Sequence, residues 1–293
     1  MYDDTWEGPH LIWPPYHAAA QRKGVLNERQ AHQVRAQYGG KLTMIDHWFG
    51  KVMAALDAQD IANDTAVIVC TDHGHYLGEK DIWGKPGVPV YEPLGHIPFM
   101  VRWPGVEAGT VDALTTSVDI FATLCDLFSV TPEHRTHGKS LIPLITGEAK
   151  AVREWALLGV WGREVHLVDE EAKYARAPKD NQNYPISMWS NRWSTMPVHS
   201  PNPPEMPKPD ERAFLDRMPG TKVPVIRQPF QPGDMLPFWA YTKFTGNHLY
   251  RPDHDPTEDE NLAGSGLERE KADKLRQALL AIEAPDDQFA RLG

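Results

Sequence analysis

Apolar side chains recur along this chain in two rhythms, and the change of rhythm divides it. Val34, Tyr38, Leu42, Ile45, Phe49, Val52 and Leu56 are spaced by three or four residues. That is the period of one helix face and predicts an amphipathic helix of about seven turns. Asn27, with Gln30 three residues on, is a capping-box pair at its start. A short unbroken run follows, Ala66-Val67-Ile68-Val69-Cys70, entered through Asn63 and Asp64. It is rich in β-branched residues and too short for a helix, so it reads as a buried strand. A second strand is predicted over 98–103 and a helix from Ser117 or Val118 to about residue 128. Helix and strand in alternation predict an α/β fold over residues 1–150, a mainly parallel sheet sandwiched by helices.

Beyond residue 150 the rhythm shortens. Segments 155–161 and 164–169 read as two strands of a hairpin turning at Gly162-Arg163, with 173–176 as a third strand. Residues 178–237 are dense in Pro, Asn and Met and read as a long loop excursion or a poorly ordered stretch. Late strands are predicted at 238–242 and 248–251. A closing helix is predicted over 267–282, with Leu275, Leu279 and Ile282 on one face. Residues 151–293 therefore form, in expectation, a small C-terminal antiparallel α+β subdomain.

The candidate chemistry sits where the first strand gives out. Residues 71–85 read TDHGHYLGEKDIWGK. Asp72 and His73 stand at the strand end, where open α/β sheets place their sites. A carboxylate oxygen beside an imidazole nitrogen can serve one divalent cation. The same string also fits a plain turn in which Asp caps backbone amides. Gly74 and Gly78 allow tight turning, and Lys85 ends the segment as a positive charge suited to an anion. Calcium prefers all-oxygen shells, so the nitrogen of His73 favours Mn²⁺ or Zn²⁺.

This segment resembles the second metal motif of the sulfatases, and of the related phosphonate and phosphodiester hydrolases of the alkaline phosphatase superfamily. In that family a strand ends in Ser/Thr-Asp-His/Asn-Gly and a Lys follows about a dozen residues on. Further stretches resemble the family in order: GHIPFMVRWPG from Gly95, TTSVDIFATLCDLF from Thr115, HGKSLIPLITGE from His137 and HLYRPDHDPTEDENLAG from His248. The resemblance is weakest over 175–245. It implies a partial alkaline phosphatase-like fold, Asp72 and His73 as metal ligands, and Lys85 on the sulfate or phosphate as a catalytic and substrate-binding group. It also implies a divalent metal, Ca²⁺ by family habit, and a formylglycine nucleophile made from Cys-x-Pro-Ser-Arg. Neither Cys70 nor Cys125 stands in that motif; both read as buried small hydrophobes. The chain thus resembles the C-terminal portion of a sulfatase, expected to be truncated and inactive alone. Its partner is either the missing N-terminal half or a second copy.

Other histidines are candidates. His96 precedes the second strand at the sheet edge of Asp72 and is a candidate general acid. His199 is a candidate substrate contact reaching from the subdomain, and His10 reads as a surface-loop residue. Glu79 is expected to shape its turn, and Asp119 to cap its helix. The implied substrate is a small sulfate ester. Alternative readings are a phosphonate monoester or phosphodiester hydrolase and a non-catalytic scaffold or binding protein.

Composition narrows the classes. An apolar content of 41% over 293 residues supplies ample core. Thirty basic against 40 acidic residues, net charge -10, argue against a nucleic-acid partner, which needs clustered Lys and Arg. No apolar run approaches the about 20 residues of a membrane span, and acidic Tyr2-Asp3-Asp4 is unlike a signal peptide, so the compartment is left open, cytoplasmic by default.

Overall fold

The computed structural model describes residues 17–19, 21–85, 89–179, 182–191, 209–218, 220–237, 240 and 246–293. They form two compact units, one ending at Thr110 and the other running from Val111 to Gly293.

The first unit is organised by helix α1 (Glu28–Ala58). Asn27 caps it as the capping box predicts. The Asn27 side chain accepts from Gln30 N at 2.9 Å and the Gln30 side chain accepts from Asn27 N at 2.9 Å. Only the first turns of α1 are buried. Ala31 and Val34 pack with Leu26 around the fully buried Trp83. The predicted apolar face continues past Gly39, yet Leu42, Ile45, Phe49 and Val52 are exposed. Periodicity names the face that seeks cover, but not what covers it.

Strand β1 (His17–Ala18) pairs with β4 (Ile82–Gly84), and β4 with β3 (Tyr76–Leu77), all antiparallel. Strand β2 (Val67–Cys70) pairs with β5 (Phe99–Arg102), also antiparallel, with Cys70 opposite Phe99. The mainly parallel sheet is not what these strands form: every pairing among the described residues is antiparallel. An apolar run identifies a strand, and its order relative to helices says nothing firm about chain direction. The strand is also less buried than expected. Its first three residues are half-buried and Cys70 is exposed, while Cys125 is partly exposed.

In the second unit the hairpin lies where predicted. β6 (Trp155–Gly159) pairs with β7 (Val165–Asp169), followed by β8 (Lys173–Arg176) and β12 (His248–Tyr250), in the antiparallel order β12-β8-β7-β6. Helix α5 (Gly266–Ala281) covers this sheet through Leu275, Ala278 and Leu279, against Leu167, Tyr174 and Leu249. A last helix, α6 (Asp286–Leu292), adds Leu292 to the same core. The stretch read as a loop contains a second antiparallel sheet. It consists of β9 (Ile186–Ser190), β10 (Phe214–Arg217) and β11 (Pro224–Phe230). Its many prolines masked the strands, and Pro224 and Pro229 sit inside β11 itself. The strand expected at 238–242 lies outside the described residues apart from Ala240, a buried core residue.

Helix α3 (Val118–Leu127) follows its prediction, and α4 (Ile142–Ile145) is a single short turn. Asp119 is not the expected cap: Ser117 stands at the start of α3 and no side chain caps it. The fully buried Asp119 carboxylate accepts from Thr116 N at 2.7 Å and Lys139 N at 2.8 Å, and pairs with Arg153. No helix among the described residues is long and apolar enough to cross a membrane.

Candidate metal and anion site

The site is built within the first unit by a hairpin that folds the segment 71–85 back on itself. At the end of β2 the Thr71 hydroxyl donates to the His73 carbonyl at 3.2 Å. His73 N donates to Asp72 Oδ1 at 3.0 Å, so the carboxylate is partly held by its own turn. Gly74 then runs against α2 (Glu92–Gly95), and its N–H donates to the Leu94 carbonyl at 2.9 Å. A Cβ at this position would run into the Pro93 carbonyl oxygen, so the close approach requires glycine. Tyr76, fully buried, locks the next turn: its hydroxyl donates to Pro89 O and accepts from Tyr91 N, each at 2.9 Å.

Hairpin register brings the lysine home. Tyr76 lies opposite Gly84 and Leu77 opposite Trp83, so Lys85 returns beside His73 although it lies 12 positions further along the chain. The turn at the tip uses Gly78 at φ +114, where a side chain would also meet Trp83. Glu79 shapes that turn as expected, accepting from Leu77 N at 2.6 Å. Arg35 of α1 clamps the outside, donating to Leu77 O at 2.7 Å with its guanidinium 5.0 Å from the Trp83 ring.

Three predicted groups therefore converge on one atom. His73 Nδ1 lies 2.8 Å from the Gly74 carbonyl, which can only accept, so Nδ1 carries the proton. The lone pair is left on Nε2. Lys85 Nζ is 2.8 Å from Nε2, and Asp72 Oδ2 is 3.6 Å from it. The Asp72 carboxylate faces water, and the neighbouring imidazole of His73, helped by the turn amides and the Thr71 hydroxyl, holds its carboxyl below the ordinary value. Imidazoles that bind metals commonly donate their other ring N–H to a carbonyl, which is the state of His73. The pair fits a divalent cation as two donors of a larger shell. Among the described residues, no three His, Cys, Asp or Glu side chains cluster to complete one.

The other candidates separate. His96, just past α2, is 82% exposed at its side chain and pairs through Nδ1 with Glu92 Oε2 at 2.9 Å, one helical turn back. That dyad, with Glu92 orienting the ring, had no signal in the sequence beyond its spacing. His199 and His10 lie outside the described residues. His75 is half-buried and stacks on Tyr38 of α1, ring centroids 5.6 Å apart. Burial above all holds its imidazole below the usual range. Tyr38 is 37 positions away along the chain, so only the fold brings it to the site.

A profile of the sulfatase family matches residues 6–130. The choline-sulfatase of Rhizobium meliloti is 29% identical over 125 residues, 42% of this chain and 24% of that protein. Arylsulfatase K of Danio rerio is 35% identical over 124 residues, 42% of this chain and 23% of its own length. The multifunctional alkaline phosphatase superfamily protein PehA of Trinickia caryophylli is 30% identical over 133 residues, 44% of this chain and 26% of that protein. The chain spans about a quarter of the length of these curated relatives. Two solved structures share its fold over 92% of the chain. BT4656, in complex with its substrate D-glucosamine-2-N,6-O-disulfate, gives a TM-score of 0.62 at 18% identity and is covered over 46% of its length. BT1596, a 2-O GAG sulfatase, gives 0.60 at 18% and is covered over 47%.

Proposed function

We propose that the segment 71–85, which lies inside the stretch matched by the sulfatase family profile, is part of a metal-assisted site that hydrolyses small sulfate esters. The observation that carries the reading is the meeting of the Asp72 carboxylate, the Nε2 lone pair of His73 and the Lys85 ammonium at one point. Asp72 and His73 would hold the divalent cation, with Ca²⁺, Mn²⁺ and Zn²⁺ as the candidates. Such a cation neutralises charge that develops on the transferring group.

This chain's own residues do the rest of the work assigned to them here. Lys85 binds a non-bridging ester oxygen as a point charge. The Gly74 carbonyl fixes the tautomer of His73, and Gly74 lets the turn lie against α2. His96, its Nδ1 tied to Glu92, presents Nε2 to solvent and is proposed to hand a proton to the leaving oxygen. The nucleophile is assigned to no residue here. The formylglycine motif of the family has no counterpart at Cys70 or Cys125, so the 293-residue chain alone is proposed to bind metal weakly and turn over nothing.

A second reading has its own support: one relative is named as a multifunctional alkaline phosphatase superfamily protein, and sulfate and phosphate esters call for the same cation and lysine. The test is to assay the longest reading frame containing this chain on an aryl sulfate, a phosphonate monoester and a phosphodiester. Fastest turnover of the sulfate supports the proposal, and fastest turnover of a phosphorus ester supports the second reading. Turnover of none, with Lys85→Ala unchanged in metal and anion binding, leaves the non-catalytic scaffold.

A further inference from the structure

We propose that strand β10 is a self-pairing edge, through which two copies of this chain join antiparallel about a two-fold axis at Phe214 into one continuous sheet. The inference stands apart from the site at 71–85 and from the reaction proposed for it.

β10 is the outermost strand of the sheet ordered β10-β11-β9, so among the described residues one side of its backbone is unpaired. The opposite edge is not equivalent, because α6 packs against β9. The chain on either side of β10 is held in place. Ala213 N donates to Asp210 O at 2.9 Å before the strand, and Arg135 N donates to Gly220 O at 3.0 Å beyond it. The side chains of β10 are bare: Leu215 is 76% exposed and Phe214 47%. Natural edges are commonly blunted by a proline, a lysine or a bulge. Residues 211–217 contain neither Pro nor Lys, and β10 pairs with β11 residue for residue, without a bulge.

Charge says what this edge takes. Residues 211–217 read Glu-Arg-Ala-Phe-Leu-Asp-Arg. Laid antiparallel on itself about Phe214, the segment is self-complementary. Glu211 then faces Arg217, Arg212 faces Asp216, Ala213 faces Leu215, and Phe214 faces its own copy. Neighbouring registers lose this match. Centring on Leu215 sets Phe214 against Asp216 and Ala213 against Arg217, and centring on Ala213 sets Arg212 against Phe214 and Asp210 against Asp216. Opposite charges across strands stabilise a pairing and like charges oppose it. Glu211, in the turn that leads into the strand, and Arg217, at the strand's far end, are both exposed and have no ion-pair partner among the described residues.

Packing favours the same centre. Trp189, Arg227 and Phe214 stand in register across the three strands, on one face of the sheet. The Arg227 guanidinium lies 4.7 Å from the Trp189 ring and 5.7 Å from the Phe214 ring. This ladder stops at the bare side of Phe214. A second copy continues it as an aromatic pair, ring on ring across the two-fold axis. On the other face, Leu215 gains cover from Ala213 of the second copy.

The test is a charge swap. Sedimentation velocity gives mass against concentration for the wild-type chain, Glu211→Arg, Arg217→Glu and the double variant, and circular dichroism checks that each is folded. The wild type is expected to dimerise, less tightly as salt rises. Each single variant sets like charges together at both ends of the paired strands, and should dimerise about tenfold more weakly. The double variant restores both pairs and the wild-type affinity. An equimolar mixture of the two single variants should form a heterodimer of near wild-type affinity, since the introduced side chains face each other and the native Arg217 of one faces the native Glu211 of the other. A chain that is monomeric at every concentration overturns the proposal. So does association indifferent to both single substitutions, or a double variant no tighter than the singles. Should a charge reversal unfold the chain, Leu215→Lys replaces it and is expected to leave a monomer; a dimer that survives it overturns the proposal equally.

Discussion

Lys85 and a divalent cation compete for one lone pair, and this makes removal of a positive charge at the site a gain for metal binding. The perturbation is Lys85→Met, which keeps most of the apolar stem and deletes the ammonium now 2.8 Å from His73 Nε2. A metal on Nε2 needs that lone pair, so the ammonium must leave first. Even if it retreats to about 5 Å, a single and a double positive charge in water repel by roughly 1.7 kcal/mol, or about 1 kcal/mol after physiological screening. That alone is a factor of about five in affinity, and loss of the direct hydrogen bond adds to it. Mn²⁺ titrated calorimetrically into the wild-type chain, Lys85→Met and His73→Ala decides the matter. Lys85→Met should bind about five- to tenfold tighter and His73→Ala should lose the heat signal. Inorganic sulfate should bind less well to the lysine variant, in the opposite direction to the metal. Equal or weaker Mn²⁺ binding by Lys85→Met, or undiminished binding by His73→Ala, refutes the shared-lone-pair reasoning.

Further outcomes follow from other contacts. Gly74→Ala drives a methyl into the Pro93 carbonyl, and should cost about 1–3 kcal/mol in a thermal melt and abolish Mn²⁺ binding with it. An unchanged melt would mean the turn yields freely. Lys271 is buried against Asp169 at 3.0 Å and Glu171 at 2.8 Å, while Lys274 also reaches Asp169 at 2.6 Å. Lys271→Met should therefore destabilise by about 3 kcal/mol, the low end for a broken buried pair, because Lys274 stays. Burial pushes the Asp169 carboxyl up, but the two lysines outweigh it and hold it below its ordinary value. Its stabilisation is present above the unfolded carboxyl range and is lost as pH falls below about 4, so urea midpoints in that limb should flatten in Lys271→Met. His166 is buried, and burial holds its imidazole below the ordinary range against the pull of Glu164 3.5 Å away. The unfolded chain takes up that proton first, so stability should fall as pH drops below about 6.5, by up to 1.36 kcal/mol per pH unit. His166→Gln should remove one proton's share of that slope, and an unaltered slope would show that His166 is protonated in the folded chain.

What could be read without coordinates was local. The start of α1 was legible because a capping box is a contact between residues three apart, and the β6–β7 turn because Gly162-Arg163 follows one apolar run and precedes another. Asp72, His73 and Lys85 were legible as a motif because motif order is a property of the chain. Strand direction, the sheet hidden in a proline-rich stretch and the true exposure of α1 were not, since each depends on what lies alongside. The meeting of Lys85 with His73 was decided by the register of a hairpin, and the neutral tautomer of His73 by a carbonyl placed where only an acceptor fits. Tyr38 reaches His75 because packing joins groups that sequence spacing leaves unrelated. Sequence determined which chemical groups this protein owns and the local turns that present them. Tertiary structure alone decided which groups share a lone pair, because hydrogen bonds and burial act over ångströms in space and are indifferent to distance along the chain.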